Sequence, residues 1–187
     1  MKKFMTLLLI FIAVVDVFFY SFSYNLASAS SEEFETYSNE DFGFSIDYPS
    51  NWLAKEDRLQ PNQIVIFHLD PEEFEELPSP ATVSVWNLLW TGGNLSITEV
   101  DDEYGTKDTV NTRLVSKNLT TLSGFPTVEN IYYDYRNELN QDQNNKAMEI
   151  FAKTDNEIFF VFYIIHPGYF DEYLPEVNRM IESFKVN

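Results

Sequence analysis

The chain's 187 residues include two histidines and no cysteine, so metal or nucleophilic chemistry that calls on an imidazole has two places to start. His68 and Asp70 stand two apart at the end of a strand pattern, so their side chains share one face. Glu72, Glu73, Glu75 and Glu76 follow at once. One imidazole with two or three carboxylates is a donor set for a divalent cation, and His68, Asp70, Glu72 and Glu73 are the candidate ligands. The plainer account is a solvated acidic loop around Pro71 and Pro78. That account carries more weight in a chain this acidic, since no loop has the Asp-x-Asp-x-Asp-Gly spacing of a calcium site. Asp101-Asp102-Glu103 is a weaker second cluster.

His166 precedes Pro167-Gly168 at the end of an apolar strand, a place for a ligand or a hinge, though such a residue is more often a strand end with one hydrogen bond satisfied. Hydrolysis by a Ser/His pair needs a nucleophile elbow, and the chain has no Gly-x-Ser-x-Gly. Thr91-Gly92-Gly93-Asn94 lacks the lysine and following helix of a phosphate loop and reads as a turn. Trp86 and Trp90 fall on one face of a strand, where they line either a sugar or lipid groove or, more commonly, the core. Asn94-Leu95-Ser96 and Asn118-Leu119-Thr120 are glycosylation sequons, with Asn94 in a turn and Asn118 within a strand pattern.

The elements that must position these groups begin after an export signal. Lys2 and Lys3, an apolar stretch from Phe4 to Val15 and the small residues Ala27-Ser28-Ala29 are its three parts, with cleavage expected after Ala29. Asp16 limits the apolar run to about twelve residues, short of the roughly 20 of a membrane-spanning helix. Val17 to Phe22 resumes it, so an uncleaved anchor through residues 4–22 is the alternative. Residues 30–187 then form a single domain of a secreted, extracellular protein. The net charge of −18 repels polyanions, and the basic residues of the mature part are scattered, so nucleic acid and anionic membranes are poor partners. Without disulfides, stability rests on a core that 44% hydrophobic and 17% aromatic residues can fill.

Period-2 patterns predict a hairpin of Phe34–Tyr37 with Phe42–Tyr48, and strands at Ile64–Leu69 and Ala81–Leu89. Pro49 stops the hairpin, and Ser50 or Asn51 caps a helical turn through Trp52, Leu53 and Ala54. Ser96 to Thr112 reads as a broken helix. Arg113–Leu122 and Pro126–Arg136 pair about Ser123-Gly124-Phe125, and Asn137–Asn145 is a polar loop. Lys146–Lys153 and Glu157–His166 form a further hairpin, whose second strand is apolar on both faces and therefore central. Phe170, Tyr173, Leu174, Val177, Met180, Ile181 and Phe184 recur at helical spacing, and Pro175 costs little if it falls in the first turn, where its missing N–H would be unpaired anyway.

The series Gly43-Phe44-Ser45-Ile46 and Tyr48-Pro49-Ser50-Asn51-Trp52, the Leu122-Ser123-Gly124-Phe125-Pro126 turn, the two strands after Lys146, and the closing Tyr173-Leu174-Pro175 to Ser183-Phe184 helix together resemble the PsbP-like family. Gly43, Tyr48, Pro49, Trp52 and Gly124 are the motif positions. The resemblance implies an α+β fold, an antiparallel sheet between helices in an α/β/α sandwich. What it implies for function is the type alone, an exported, non-enzymatic binding or accessory module; with the export signal and the absence of catalytic spacing, the expectation is docking on a protein partner at the cell envelope, and the chain's acidity makes a divalent cation the one cofactor in view. The alternatives are a metal-dependent or Ser/His hydrolase using both histidines, and a carrier of apolar ligands, which needs an apolar cavity of about 300–1,000 Å³.

Overall fold

The computed structural model describes residues 33–56, 62–70, 80–88, 95–135, 144–155 and 157–187. The signal segment 1–29 with its Ala29 site, Glu72 and Glu73 with the rest of 71–79, the Trp90 and Asn94 stretch, and residues 136–143 of the polar loop lie outside them. Strand β1 (Phe34–Asn39) and strand β2 (Phe44–Pro49) form the expected hairpin, Phe34 pairing with Pro49 and Asn39 with Phe44. Asn39 Oδ1 accepts from the Phe42 amide at 3.0 Å, and Gly43 supplies the positive φ of 59° that closes the turn. Lys185 and Val186, strand β10, pair with β2 and complete a three-stranded sheet.

The larger sheet has seven strands among the described residues. In chain order they are β3 (Trp52–Lys55), β4 (Gln63–Leu69), β5 (Thr82–Leu88), β6 (Thr112–Leu122), β7 (Phe125–Asp134), β8 (Asn145–Lys153) and β9 (Ile158–Ile165). In space they run β3-β4-β5-β9-β8-β7-β6, every neighbouring pair antiparallel. The double-sided apolar strand is thus the middle one. One segment departs from expectation: Trp52–Lys55 is a strand, not a helical turn. Pairing of Trp52 with Leu69 and Ala54 with Phe67 supplies ladder hydrogen bonds and core burial that one capped turn cannot match.

Helix α2 (Phe170–Ser183) and the small sheet share one face of the large sheet. Phe159, Val161, Tyr163 and Ile165 of β9 meet Phe170, Val177, Met180 and Phe184, all at most 1% exposed. Phe44, Phe159 and Phe184 form a triangle of rings with centroids 5.3–5.7 Å apart. Of the seven helical apolar positions, those four are fully buried, while Tyr173, Leu174 and Ile181 are half-buried. Pro175 falls past the first turn, because the helix begins at Phe170. The carbonyl it leaves without a helical donor belongs to Asp171, an exposed residue.

Helix α1 (Ile97–Tyr104) covers part of the other face, so the expected helix-sheet-helix layering holds. Ser96 opens it with a capping box, its hydroxyl accepting from the Glu99 amide at 3.3 Å while Glu99 Oε2 accepts from the Ser96 amide at 2.7 Å. Val100 then packs on Phe151 and Ile158. Coverage here is thinner, and Phe160 and Phe162 remain half-buried.

Candidate functional site

The β6–β7 hairpin is long because Ser123 and Gly124, at φ 54° and 83°, make a two-residue turn whose twist suits two long strands. It carries the sheet past the edge of α2. Between them opens a cleft of about 360 Å³. Thr120, Thr127 and Glu129 form its polar sheet wall, Asn178 and Glu182 the helix wall, and Ile150 and Ile181 its apolar floor. Asn118 donates to Glu129 Oε1 at 3.2 Å and steadies that carboxylate. No basic residue lines the cleft. Its electrostatics favour donors: amides, hydroxyls and cationic side chains.

Under α1 lies a second polar group, closed to solvent. Glu149 on β8 is 3% exposed, Asn130 on β7 1% and Asp101 on α1 5%. Glu149 Oε1 accepts from the Thr106 amide at 2.6 Å and from Asn130 Nδ2 at 3.0 Å, and its Oε2 accepts from the Thr106 hydroxyl at 2.9 Å. Asp101 accepts from Asn130 Nδ2 and from the Lys117 ammonium. Gly105 permits this, since a Cβ there would overlap the Asp101 carboxylate. Burial pushes the Glu149 carboxyl above its ordinary range, opposed in part by the Thr106 and Asn130 hydrogen bonds and reinforced by the charge of Asp101. Its hydrogen bond to Asp101 holds Lys117 above the usual lysine value. Asn130 Oδ1 is left without a hydrogen-bond partner, while the carboxylates, the Asn130 amide nitrogen, Thr106 and Lys117 bond one another and anchor α1.

The sequence grouped Asp101 with Asp102 and Glu103. The structure turns Asp101 inward and leaves the other two exposed. Glu149 went unremarked, although a lone acid between Met148 and Ile150 in a buried strand is a signal for a partnered carboxylate.

The two histidines have separate surroundings. His68, half-buried on β4, donates from Nδ1 to the Leu69 carbonyl at 2.9 Å. His166, beyond β9, accepts at Nδ1 from the Gly168 amide at 3.2 Å and lies beside Tyr169. Strand β5 runs between β4 and β9, which sets those strands about 9.5 Å apart. Among the described residues, no group of three or more His, Cys, Asp or Glu side chains is arranged to hold a metal ion. Asp70 is half-buried just past β4.

Trp86 is half-buried, its indole N–H donating to Ser84 Oγ at 2.8 Å, with Phe160 at 6.4 Å. Asn118 is exposed on β6. The motif positions are structural: Tyr48 donates to Glu35 Oε2 at 2.8 Å, Pro49 ends β2, and Trp52 is 3% exposed. No helix of the described residues is long and apolar enough to cross a membrane.

No family model and no curated protein matches the chain, but its fold recurs among solved structures. CyanoP, the cyanobacterial PsbP of Synechocystis, is 14% identical with a TM-score of 0.58, over 86% of this chain and 96% of that one. LpqN of Mycobacterium tuberculosis, described as involved in cell envelope biogenesis, is 13% identical with a TM-score of 0.55, over 83% and 91%. The Saccharomyces cerevisiae Ran-binding protein Mog1p is 11% identical with a TM-score of 0.52, over 83% and 96%. The architecture is therefore PsbP-like α+β. At such identities the likeness speaks for the fold alone.

Proposed function

We propose that this PsbP-like domain is an exported, non-enzymatic accessory module that docks on a protein partner at the outer cell surface, using the cleft between α2 and the β6–β8 strands. The observation that carries the reading is the character of that cleft. It has two acidic walls, a narrow apolar floor and no nucleophile–base pair, which suits a segment of polypeptide better than a reaction. Two of the similar structures are described by association or assembly, one as Ran-binding and one by envelope biogenesis. Their common fold makes docking the natural use of the surface.

The apolar-carrier reading loses ground, because the cleft rim is threonine, glutamate and asparagine. The hydrolase reading loses ground with the histidines lying on separate strands. Export through residues 1–29, cleaved after Ala29, belongs to the proposal, as does a divalent cation at His68, Asp70, Glu72 and Glu73. N-terminal sequencing of secreted protein tests the first, where an intact Met1 contradicts cleavage. Docking is tested by pull-down from the cell envelope with wild-type protein and with Ile181→Arg, which fills the cleft, each with and without chelator. A partner retained by wild type and lost by the variant supports the reading. Equal capture by both sinks it, and insensitivity to chelator removes the cation from it.

A further inference from the structure

The cleft between α2 and the sheet repeats one arrangement on both walls. On the sheet, Glu129 of β7 and Ile150 of β8 are direct cross-strand partners, which sets their Cβ atoms about 4.5–5.5 Å apart on one face. On the helix, Asn178, Ile181 and Glu182 fall at i, i+3 and i+4 and so share a face. Each wall thus places a carboxylate beside an isoleucine. The isoleucines are the more deeply set of each pair: Ile150 is 2% exposed where Glu129 is half-buried, and Ile181 is half-buried where Glu182 is exposed. An acidic rim stands over an apolar floor.

Neither acid is neutralised from within. Glu129 accepts from the Asn118 side-chain amide, a neutral donor, and among the described residues neither Glu129 nor Glu182 has an ion pair. The bases of the neighbouring elements are turned elsewhere. Lys117 of β6 is paired with Asp101 on the far face of the sheet, Lys146 of β8 with Asp171, and the Arg179 guanidinium of α2 lies 3.8 Å from the Phe34 ring centroid. Lys185 leaves the helix to join β2 and does not line the cleft. Two carboxylates across one cleft, in a chain of net charge −18, repel an anion and attract a cation.

The floor decides which cation. A bare metal ion engages oxygens and leaves the two isoleucines uncovered. A long basic side chain answers both parts of the cleft, because its aliphatic stem covers apolar surface while its charged head turns to polar groups. The volume of about 360 Å³ is near the lower end of the range for ligand pockets, about 300–1,000 Å³, and suits side chains of a peptide.

We propose that the cleft receives an arginine or lysine side chain from a basic segment of the partner protein, its stem laid over Ile150 and Ile181 and its head between Glu129 and Glu182. This rests on the docking reading above and names the partner's chemistry. The probe is a blocked pentapeptide of glycine, valine, arginine, valine and glycine, titrated into the full protein at about 0.15 M salt while the amide resonances of Ile150, Asn178 and Ile181 are followed. Those three are expected to shift together. The same peptide with citrulline for arginine keeps the shape and loses the charge, and is expected to bind about tenfold more weakly. Glu129→Gln with Glu182→Gln should weaken the arginine peptide about tenfold and leave the citrulline peptide unchanged. Asp102→Asn with Glu103→Gln removes the same charge from α1 on the opposite face, where screening over about 8 Å makes the effect small, less than about twofold. Should the cleft variant not fold, the citrulline comparison on wild-type protein decides.

Equal binding of the arginine and citrulline peptides overturns the proposal, as does equal weakening by the two double variants, which would leave only the general field of an acidic protein. Calcium chloride alone, producing the same shifts at equal or lower concentration, assigns the cleft to a free cation and overturns the basic segment. A partner captured from the envelope equally by wild type and by the Glu129→Gln, Glu182→Gln variant, yet lost with Ile181→Arg, overturns the basic head and keeps docking in the cleft. Capture unaffected by any of these changes overturns both.

Discussion

Replacing Glu149 by glutamine should abolish a component of the pH dependence of folding, and its sign follows from the cluster beneath α1. Burial raises the carboxyl above its ordinary value in the folded protein, whereas in the unfolded chain it titrates normally. The folded state therefore binds this proton more tightly than the unfolded one. Below the ordinary glutamate value both states are protonated and nothing is lost; as pH rises from there through the folded value, stability falls, then levels off. Within that interval one such group contributes a slope of up to about 1.4 kcal/mol per pH unit. Glutamine carries no charge and keeps the bonds: its oxygen accepts from the Thr106 amide and Asn130, and its amide nitrogen donates to the Thr106 hydroxyl. Urea unfolding of both proteins, from about pH 4.5 to about pH 8, reads the difference. The variant should gain on wild type as pH rises. Parallel curves would refute the reasoning, and a variant that loses ground with rising pH would mean that the hydrogen bonds outweigh desolvation.

Gly105→Ala places a methyl against the Asp101 carboxylate and should destabilise by about 1–3 kcal/mol, with α1 amides exchanging first, as hydrogen exchange and urea midpoints will show. Gly124→Ala meets no atom within 4 Å but sits at φ 83°, so chemical denaturation should register only the turn strain, about 1 kcal/mol. Phe184→Ala removes the ring stacked on Phe44 and packed edge-on to Phe159, and should cost about 3–5 kcal/mol in equilibrium unfolding. Deleting residues 169–187 strips α2 and β10 from the core together; calorimetry should show no cooperative melt, and a sharp transition would contradict the role given to α2.

Much of this fold was legible where the determining interactions are local. Alternation over Phe42–Tyr48, the unbroken apolar run Ile158–Ile165, the Ser123-Gly124 turn and the helical steps from Phe170 to Phe184 each report a short-range geometry, and each has its element. Trp52–Lys55 misled because Pro49-Ser50-Asn51 is good capping chemistry, while the strand owes its existence to Leu69 and Phe67, far along the chain. The place of Pro175 in its helix stayed open because the helix starts at Phe170 without a side-chain cap from Tyr169, so nothing local marks the first turn. The two residues of β10 are too few to show a period, and without them the division into two sheets is invisible. The cleft and the Asp101–Asn130–Glu149 group join residues from separate elements, so neither leaves a spacing to read. Of the proposed ligands, His68 and Asp70 have the strand-end placement that their spacing suggested.

The most direct measurement of docking is site-specific photo-crosslinking in intact cells, with the reactive group at Asn178 in the cleft, and at Asp102 on the opposite face as the control. A discrete adduct from position 178, absent from 102 and lost when Ile181 is also made arginine, is the result expected of a partner seated between α2 and the β6–β8 strands. Equal adducts from both positions, or from 102 alone, would contradict it.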